Sequence, residues 1–360
     1  MPNTIEFKPI DFESLSLEDF ENKVQQYEPE PILLPNPKRF VLFPIQYNDL
    51  WEYYKNMESK FWTAEEIELH EDIQGFNNAT GKYRSHIVQI CTLLCINQNL
   101  IELPIPFIFS NEIQLAEARC FFGFQGMQQN VHSELFTLIL ERLLVDQDEY
   151  REDTIEICSN LPSLSRKKAW VERYITESND HFSQRLVAYI IYLSMFQNAL
   201  DHFIFYITGP EMQSIMPGLV HAMCKAKHDR ISFKNFYLAI YNNHTINKVP
   251  ENIIRSMISE TISIERDLIQ DISELSGGSL ANKTTPIDFD LLKMKSMAIG
   301  DQVCKEFNLK PTFGGKDPLP WMNTIYDYEM KKGDHLVSVV LSTPKKQKAD
   351  VVDFTLDDDF

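Results

Sequence analysis

Cys91 and Cys95 stand one helical turn apart inside an apolar run, a spacing that would let two thiolates grip one metal ion from a single helix face. A structural zinc site needs four such ligands, and no His or Cys recurs at zinc spacing nearby. Cys120, Cys158, Cys224 and Cys304 are scattered singly, so all six cysteines are expected to be buried, reduced thiols of an intracellular protein. A second group stands at the end of the chain, Asp353-Phe354-Thr355-Leu356-Asp357-Asp358-Asp359-Phe360. Apolar side chains set among acids at a terminus offer no catalysis; they suit a docking peptide, because two Phe and a Leu gain nothing from exposure to water.

The elements that would carry such groups are helices. Ile87 to Ile101, Ala116 to Leu144, His181 to Ile207, Leu219 to Tyr241, Ile253 to Leu275 and Leu291 to Phe307 are long, glycine-poor and periodic at helical spacing. Thr63 followed by Glu65-Glu66 reads as a helix start, with a capping hydroxyl and acids at the positive end of the dipole. Strand alternation is almost absent, which makes the fold all-α. Residues 1–50, rich in Pro and acids, read as an extended arm, 51–325 as a helical bundle, and 326–360 as a flexible tail after the break at Phe313-Gly314-Gly315 and Pro318 to Pro320.

The formal net charge of −18 disfavours binding to nucleic acid or anionic lipid, since both call for a cationic face. Met1-Pro2-Asn3 followed by early acids is not the start of a secretory signal. The apolar stretch Leu186 to Phe196 is too short to cross a bilayer, so no membrane association is expected and the protein is placed in the cytoplasm, with the nucleus as a further location.

Several segments together resemble the small subunit of class I ribonucleotide reductase: Asn36 to Pro44, Phe61-Trp62-Thr63-Ala64-Glu65-Glu66, Glu117 to Gln125, His132-Ser133-Glu134, Met216-Pro217-Gly218-Leu219 and Phe354 to Phe360. The resemblance implies a ferritin-like helical bundle, usually dimeric, whose core holds two irons beside a radical tyrosine. Such a site takes a Glu from each of two helices, one replaced by Asp in this family, and a Glu-x-x-His pair from each of two others. Spacing of three sets both ligands of a pair on one helical face, and hard dipositive ions require anionic oxygens.

Carried over by position, the family's Asp ligand falls on Gln98, and its first Glu-x-x-His becomes Gln129-Asn130-Val131-His132. The next Glu falls on Leu193, and the second Glu-x-x-His becomes Arg230-Ile231-Ser232-Phe233. The radical tyrosine position is Phe136. A shift of register restores nothing, because Asp201 is the only carboxylate from Gln184 to Pro210 and Asp229 the only one from Leu219 to Tyr241. Neither metal nor other cofactor is therefore expected. Leu193, Phe233 and Phe136 are expected to fill the space of the metals, and Arg230 must find a carboxylate or other hydrogen-bond acceptors, with Asp201, Glu102 and Glu134 as candidates.

The family's radical relay of Trp, Asp and His is matched by Trp62, Asp229 and His132, but no tyrosine follows Tyr328 to continue it through the tail. The trio reads as a buried network kept for packing. What the resemblance implies is a noncatalytic accessory subunit of ribonucleoside-diphosphate reductase, serving deoxyribonucleotide synthesis for DNA replication. It would pair with an intact small subunit and hold the large subunit through Phe354, Leu356, Asp357, Asp358, Asp359 and Phe360. The alternative is a competent subunit with a metal-free radical, for which Tyr189 and Tyr192 are the available phenols.

Overall fold

The computed structural model describes residues 29–178, 180–207, 216–275, 288–327 and 329–331. Every regular element among them is helical. The long stretch foreseen from Ala116 folds as α5, Ala116–Leu143, and buries the positions its periodicity selects, among them Phe121, Phe122, Gln125, Gln129, His132 and Phe136. Before it come α1 (Asn48–Ser59), α2 (His70–Asn78), α3 (Gly81–Ile96) and α4 (Ile105–Glu112), with a π-helical turn, Asn97–Glu102, between α3 and α4. After it come α6 (Asp148–Ser159), α7 (Pro162–Val171), α8 (Phe182–Met195), α9 (Asn198–Ile207), α10 (Pro217–Ala239), α11 (Glu251–Leu275) and α12 (Phe289–Glu306).

Helices α3, α5, α8 and α10 form the centre. α3 packs on α5 and α8 on α10, α10 also meets α5, and α1 lies along both α5 and α10. The rings of Phe121 and Phe236 stack at 3.6 Å between centroids and 8° between planes, tying α5 to α10. α11 covers α8 and α12 with a stripe that runs Ile254, Met257, Ile258, Thr261, Ile262, Glu265, Leu268, Ile269, Ile272, the three-and-four repeat of an amphipathic helix. One carboxylate, Glu265, rides inward on that stripe.

The run expected as a single helix from His181 to Ile207 is broken. Gln197 has φ of 119°, a backbone region that L side chains rarely adopt, and the chain turns there between α8 and α9. The helix foreseen from Ile87 likewise changes to π-helical hydrogen bonding at Asn97. The helical run from Tyr83 to Glu112 is long and apolar enough to cross a membrane by length and composition, a longer candidate than Leu186 to Phe196. More than half of its most apolar window is buried, with Ile87, Val88, Ile90, Leu93 and Leu94 in the core.

Two contacts fix where the central helices start. Asp72 accepts from Gly218 N at 2.8 Å and Leu219 N at 2.7 Å, capping α10 at the positive end of its dipole. Gly218 is required there because a Cβ would collide with the Glu68 carbonyl oxygen. Glu117, in the first turn of α5, accepts from the backbone of Gln46 and Tyr47 and so ties the proline-rich segment to the bundle.

That segment is anchored further back by Glu30. Its carboxylate accepts from Ser183 Oγ at 2.9 Å, Ile246 N at 2.8 Å and Asn247 N at 3.0 Å. Burial by itself would raise the pKa, but these hydrogen bonds outweigh it and hold Glu30 below the ordinary glutamate value of 4.5. His181 and Lys248 also feel its charge. A depressed carboxylate contributes stability above its unfolded value and loses it as pH falls through the folded one. The stability deficit of Glu30→Gln, measured by chemical denaturation, is therefore expected to be largest near neutrality and to shrink below about pH 4. A deficit independent of pH would contradict the assignment.

Candidate functional site

Four elements bring the matched positions together: the π turn after α3, α5, the junction of α8 with α9, and α10. Gln98, Gln129 and His132 are buried, as are Phe136 and Phe233, and Arg230 is 5% exposed. The helical spacing of three on α5 sets Gln129 and His132 on one inward face.

Asp229 joins the trio expected from the sequence. Trp62 Nε1 donates to Asp229 Oδ2 at 2.9 Å, and His132 Nε2 sits 2.8 Å from the same oxygen. A carboxylate oxygen only accepts, so His132 Nε2 carries the proton and Nδ1 is the nitrogen turned away from Asp229. The indole and imidazole stack at 5.6 Å, and Lys225 Nζ lies 5.2 Å from the Trp62 ring. The trio is thus a buried, hydrogen-bonded arrangement.

Arg230 finds Asp201. Its Nη2 donates to both carboxylate oxygens at 2.7 and 2.6 Å, from α10 to α9. Burial opposes the guanidinium charge, but the adjacent Asp201 and then Glu102 favour it, and the group stays protonated. Of the other candidates, Glu134 is exposed, and Glu102 accepts from Gln197 Nε2 at 3.0 Å instead. Glu102 is fully buried, and its pKa is raised by that burial against the pull of Arg230, His132 and Lys167.

A second internal pair escaped the sequence reading. Lys167 of α7 and Glu265 of α11 lie 3.6 Å apart, each about 2% exposed, with Lys167 Nζ 4.8 Å from the Phe196 ring. Burial lowers the pKa of the lysine and raises that of the glutamate. Lys167 sits in a run of basic residues that looks solvated, yet the buried positions Ser163, Leu164, Lys167, Trp170 and Val171 repeat at helical spacing. That periodicity was the available signal.

The phenols are locked as well. Gln125 donates from Nε2 to Tyr189 Oη at 3.0 Å and accepts from Tyr237 Oη at 2.7 Å, while Asn97 Nδ2 donates to Tyr192 Oη at 3.4 Å. Burial pushes all three phenols well above the ordinary tyrosine range. The Phe136 and Phe233 rings each lie 6.4 Å from the His132 ring. Leu193 is buried in the hydrophobic core and also borders a polar cleft of about 360 Å³ together with Gln197, Asp201 and Arg230. Polar side chains, Gln98 and Gln129 among them, share that interior with the aliphatic and aromatic ones.

These residues do not fit a di-iron centre. One imidazole nitrogen and one carboxylate, Glu102, face a buried guanidinium whose own carboxylate is already engaged, and two dipositive ions need several anionic oxygens. Among the described residues no group of three or more His, Cys, Asp or Glu side chains is placed to hold a metal ion. Cys91 is buried and Cys95 half-buried; burial pushes both thiols up, Cys95 to about 12, which disfavours the thiolate a metal would require. The peptide Phe354, Leu356, Asp357, Asp358, Asp359 and Phe360 lies outside the described residues.

The family model described as ribonucleotide reductase, small chain, matches residues 39–318. The chain is 29% identical over 351 residues to the ribonucleoside-diphosphate reductase small chain of Neurospora crassa, covering 92% of this chain and 82% of that one. It is 29% identical over 344 residues to the human ribonucleoside-diphosphate reductase subunit M2, covering 92% and 83%. The solved structure of the ribonucleotide reductase Rnr4 homodimer from Saccharomyces cerevisiae superposes with a TM-score of 0.74 at 27% identity, over 89% of this chain and 96% of that one. The R2 subunit from Clostridium botulinum, with a TM-score of 0.64 at 17% identity over 78% of this chain and 89% of that one, shares the ferritin-like fold.

Proposed function

The chain belongs to the ribonucleotide reductase small-chain family, and we propose that within it the protein is a noncatalytic accessory subunit of ribonucleoside-diphosphate reductase. It pairs with an intact small subunit and binds the large subunit through its C-terminal peptide, in the cytoplasm and also the nucleus. The observation that carries this reading is Arg230. A buried, ion-paired guanidinium occupies a position where the family places an anionic iron ligand. The same interior offers Phe136 where the family places its radical tyrosine.

Pairing is supported by an apolar face along α5. Met127 of α5, Phe61 beside Phe124 and Phe107 beside Gly126 are exposed, as is Phe40 near the start of the helix, where the Arg119 guanidinium lies 5.9 Å from its ring. Exposed apolar side chains gathered along one helix are what a protein interface would cover. On coexpression with a small subunit that keeps all six ligands, heterodimers are expected in native mass spectrometry. The mixed complex with the large subunit is expected to reduce ribonucleotides, and this chain with the large subunit alone is not. Separate homodimers at micromolar concentration would argue against pairing.

Tail docking rests on the peptide pattern. Phe354, Leu356 and Phe360 would each contribute about 1 to 3 kcal/mol by entering apolar pockets, with the Asp residues against a basic rim. Ordering the chain offsets much of this, leaving roughly micromolar affinity. A synthetic peptide of residues 351–360 is expected to compete with an intact small subunit for the large one, less well as salt rises, and Phe360→Ala to weaken that competition markedly. Calorimetry that detects no binding of the peptide to the large subunit removes this part of the proposal.

A further inference from the structure

The side chains around His132 leave several polar atoms without a hydrogen-bonding partner inside the protein: Asn97 Oδ1, Gln98 Nε2, Glu102 Oε1, His132 Nδ1 and Gln197 Oε1. All five residues are at most 2% exposed. They belong to one locus. Asn97, Gln98 and Glu102 share the π turn, Gln197 donates to Glu102, and His132 acts electrostatically on Glu102. Asn97 reaches Tyr192, whose phenol is in turn influenced by Glu102 and Arg230.

Buried polar atoms of native proteins are almost always satisfied, by protein or by ordered water. The set here contains oxygen acceptors and also a donor, Gln98 Nε2. A metal cation would serve the acceptors alone. Arg230 and Lys167 already supply positive charge against Glu102, which further disfavours a cation. Water both donates and accepts, and an internal water commonly makes about three such bonds.

We propose that a cluster of ordered water molecules occupies the heart of the bundle, held by Asn97, Gln98, Glu102, His132 and Gln197, where the family holds its metal centre. The cleft lined by Leu193, Gln197, Asp201 and Arg230 meets this locus at Gln197, which both borders the cleft and carries one of the unsatisfied oxygens. This inference rests on the reading of a noncatalytic subunit, since it assigns the same interior to solvent.

The test is a crystal structure of the full chain at a resolution that shows ordered water, before and after soaking in manganese(II). Water density within hydrogen-bonding reach of His132 Nδ1, Glu102 Oε1 and Gln197 Oε1, with no anomalous signal after the soak, is the expected result. A dry interior with these side chains paired to one another overturns the inference and leaves the accessory reading standing. A manganese peak on His132 and Glu102 overturns both. In solution, oxygen-17 relaxation dispersion is expected to detect long-lived internal waters in the wild type and fewer in Asn97→Leu. Their absence from the wild type would count equally against the proposal.

Discussion

Reconstitution of the purified protein with ferrous iron and oxygen is expected to leave essentially no iron bound after desalting and no tyrosyl signal in electron paramagnetic resonance. The reason is electrostatic and geometric together. Hard divalent ions demand several carboxylate oxygens, whereas Gln98, Gln129, Leu193, Arg230 and Phe233 contribute none. The phenols that remain nearby, Tyr189 and Tyr192, are buried and hydrogen-bonded, with pKa values pushed up by that burial, so their protonated state is strongly favoured. Iron approaching two equivalents per chain, or a tyrosyl radical, would refute the noncatalytic assignment outright.

Arg230→Met alone is expected to destabilise the protein by about 3–5 kcal/mol, because Asp201 would be left as a buried charge without its partner. The paired change Arg230→Met with Asp201→Leu should recover most of that loss, since two charges then leave the interior together. Chemical denaturation of the metal-free protein measures both. If the single substitution leaves the midpoint unchanged, the ion pair between α9 and α10 is not the internal tie its geometry suggests.

Helix α5 was legible almost to the residue, because its inward positions recur over 28 residues with no Pro, and its two glycines, Gly123 and Gly126, do not interrupt the period. The turn at Gln197 was not, since Phe196-Gln197-Asn198 contains neither glycine nor proline and the strained backbone is held by its surroundings. Helix α6 was overlooked because only Thr154 and Cys158 are buried in it, too few for a periodic signal. At the site, substitutions could be read one position at a time, but the choice of Asp201 over Glu102 for Arg230 depends on how three separate elements converge. Local spacing holds no record of that. The polar interior was missed for a related reason: Leu193 and Phe233 announce volume, whereas the demands of Asn97 and Gln197 emerge only when both are enclosed.

The π turn at Asn97–Glu102 also makes chain length a determinant of the interior. Its bonding, seen in Leu103 N to Gln98 O at 3.1 Å, spans one residue more than an α-helical turn. Removing a single residue there would let the segment tighten to α-helical pitch with Glu102 still near its present heading, whereas removing one from α3 ahead of the turn would rotate everything beyond it by about 100° and carry Glu102 away from Gln197. The turn therefore behaves as a phase setting: the carboxylate's inward heading is encoded in the residue count and winding of the segment together, and deletion of one residue from α3 should disturb the site more than deletion of Asn99.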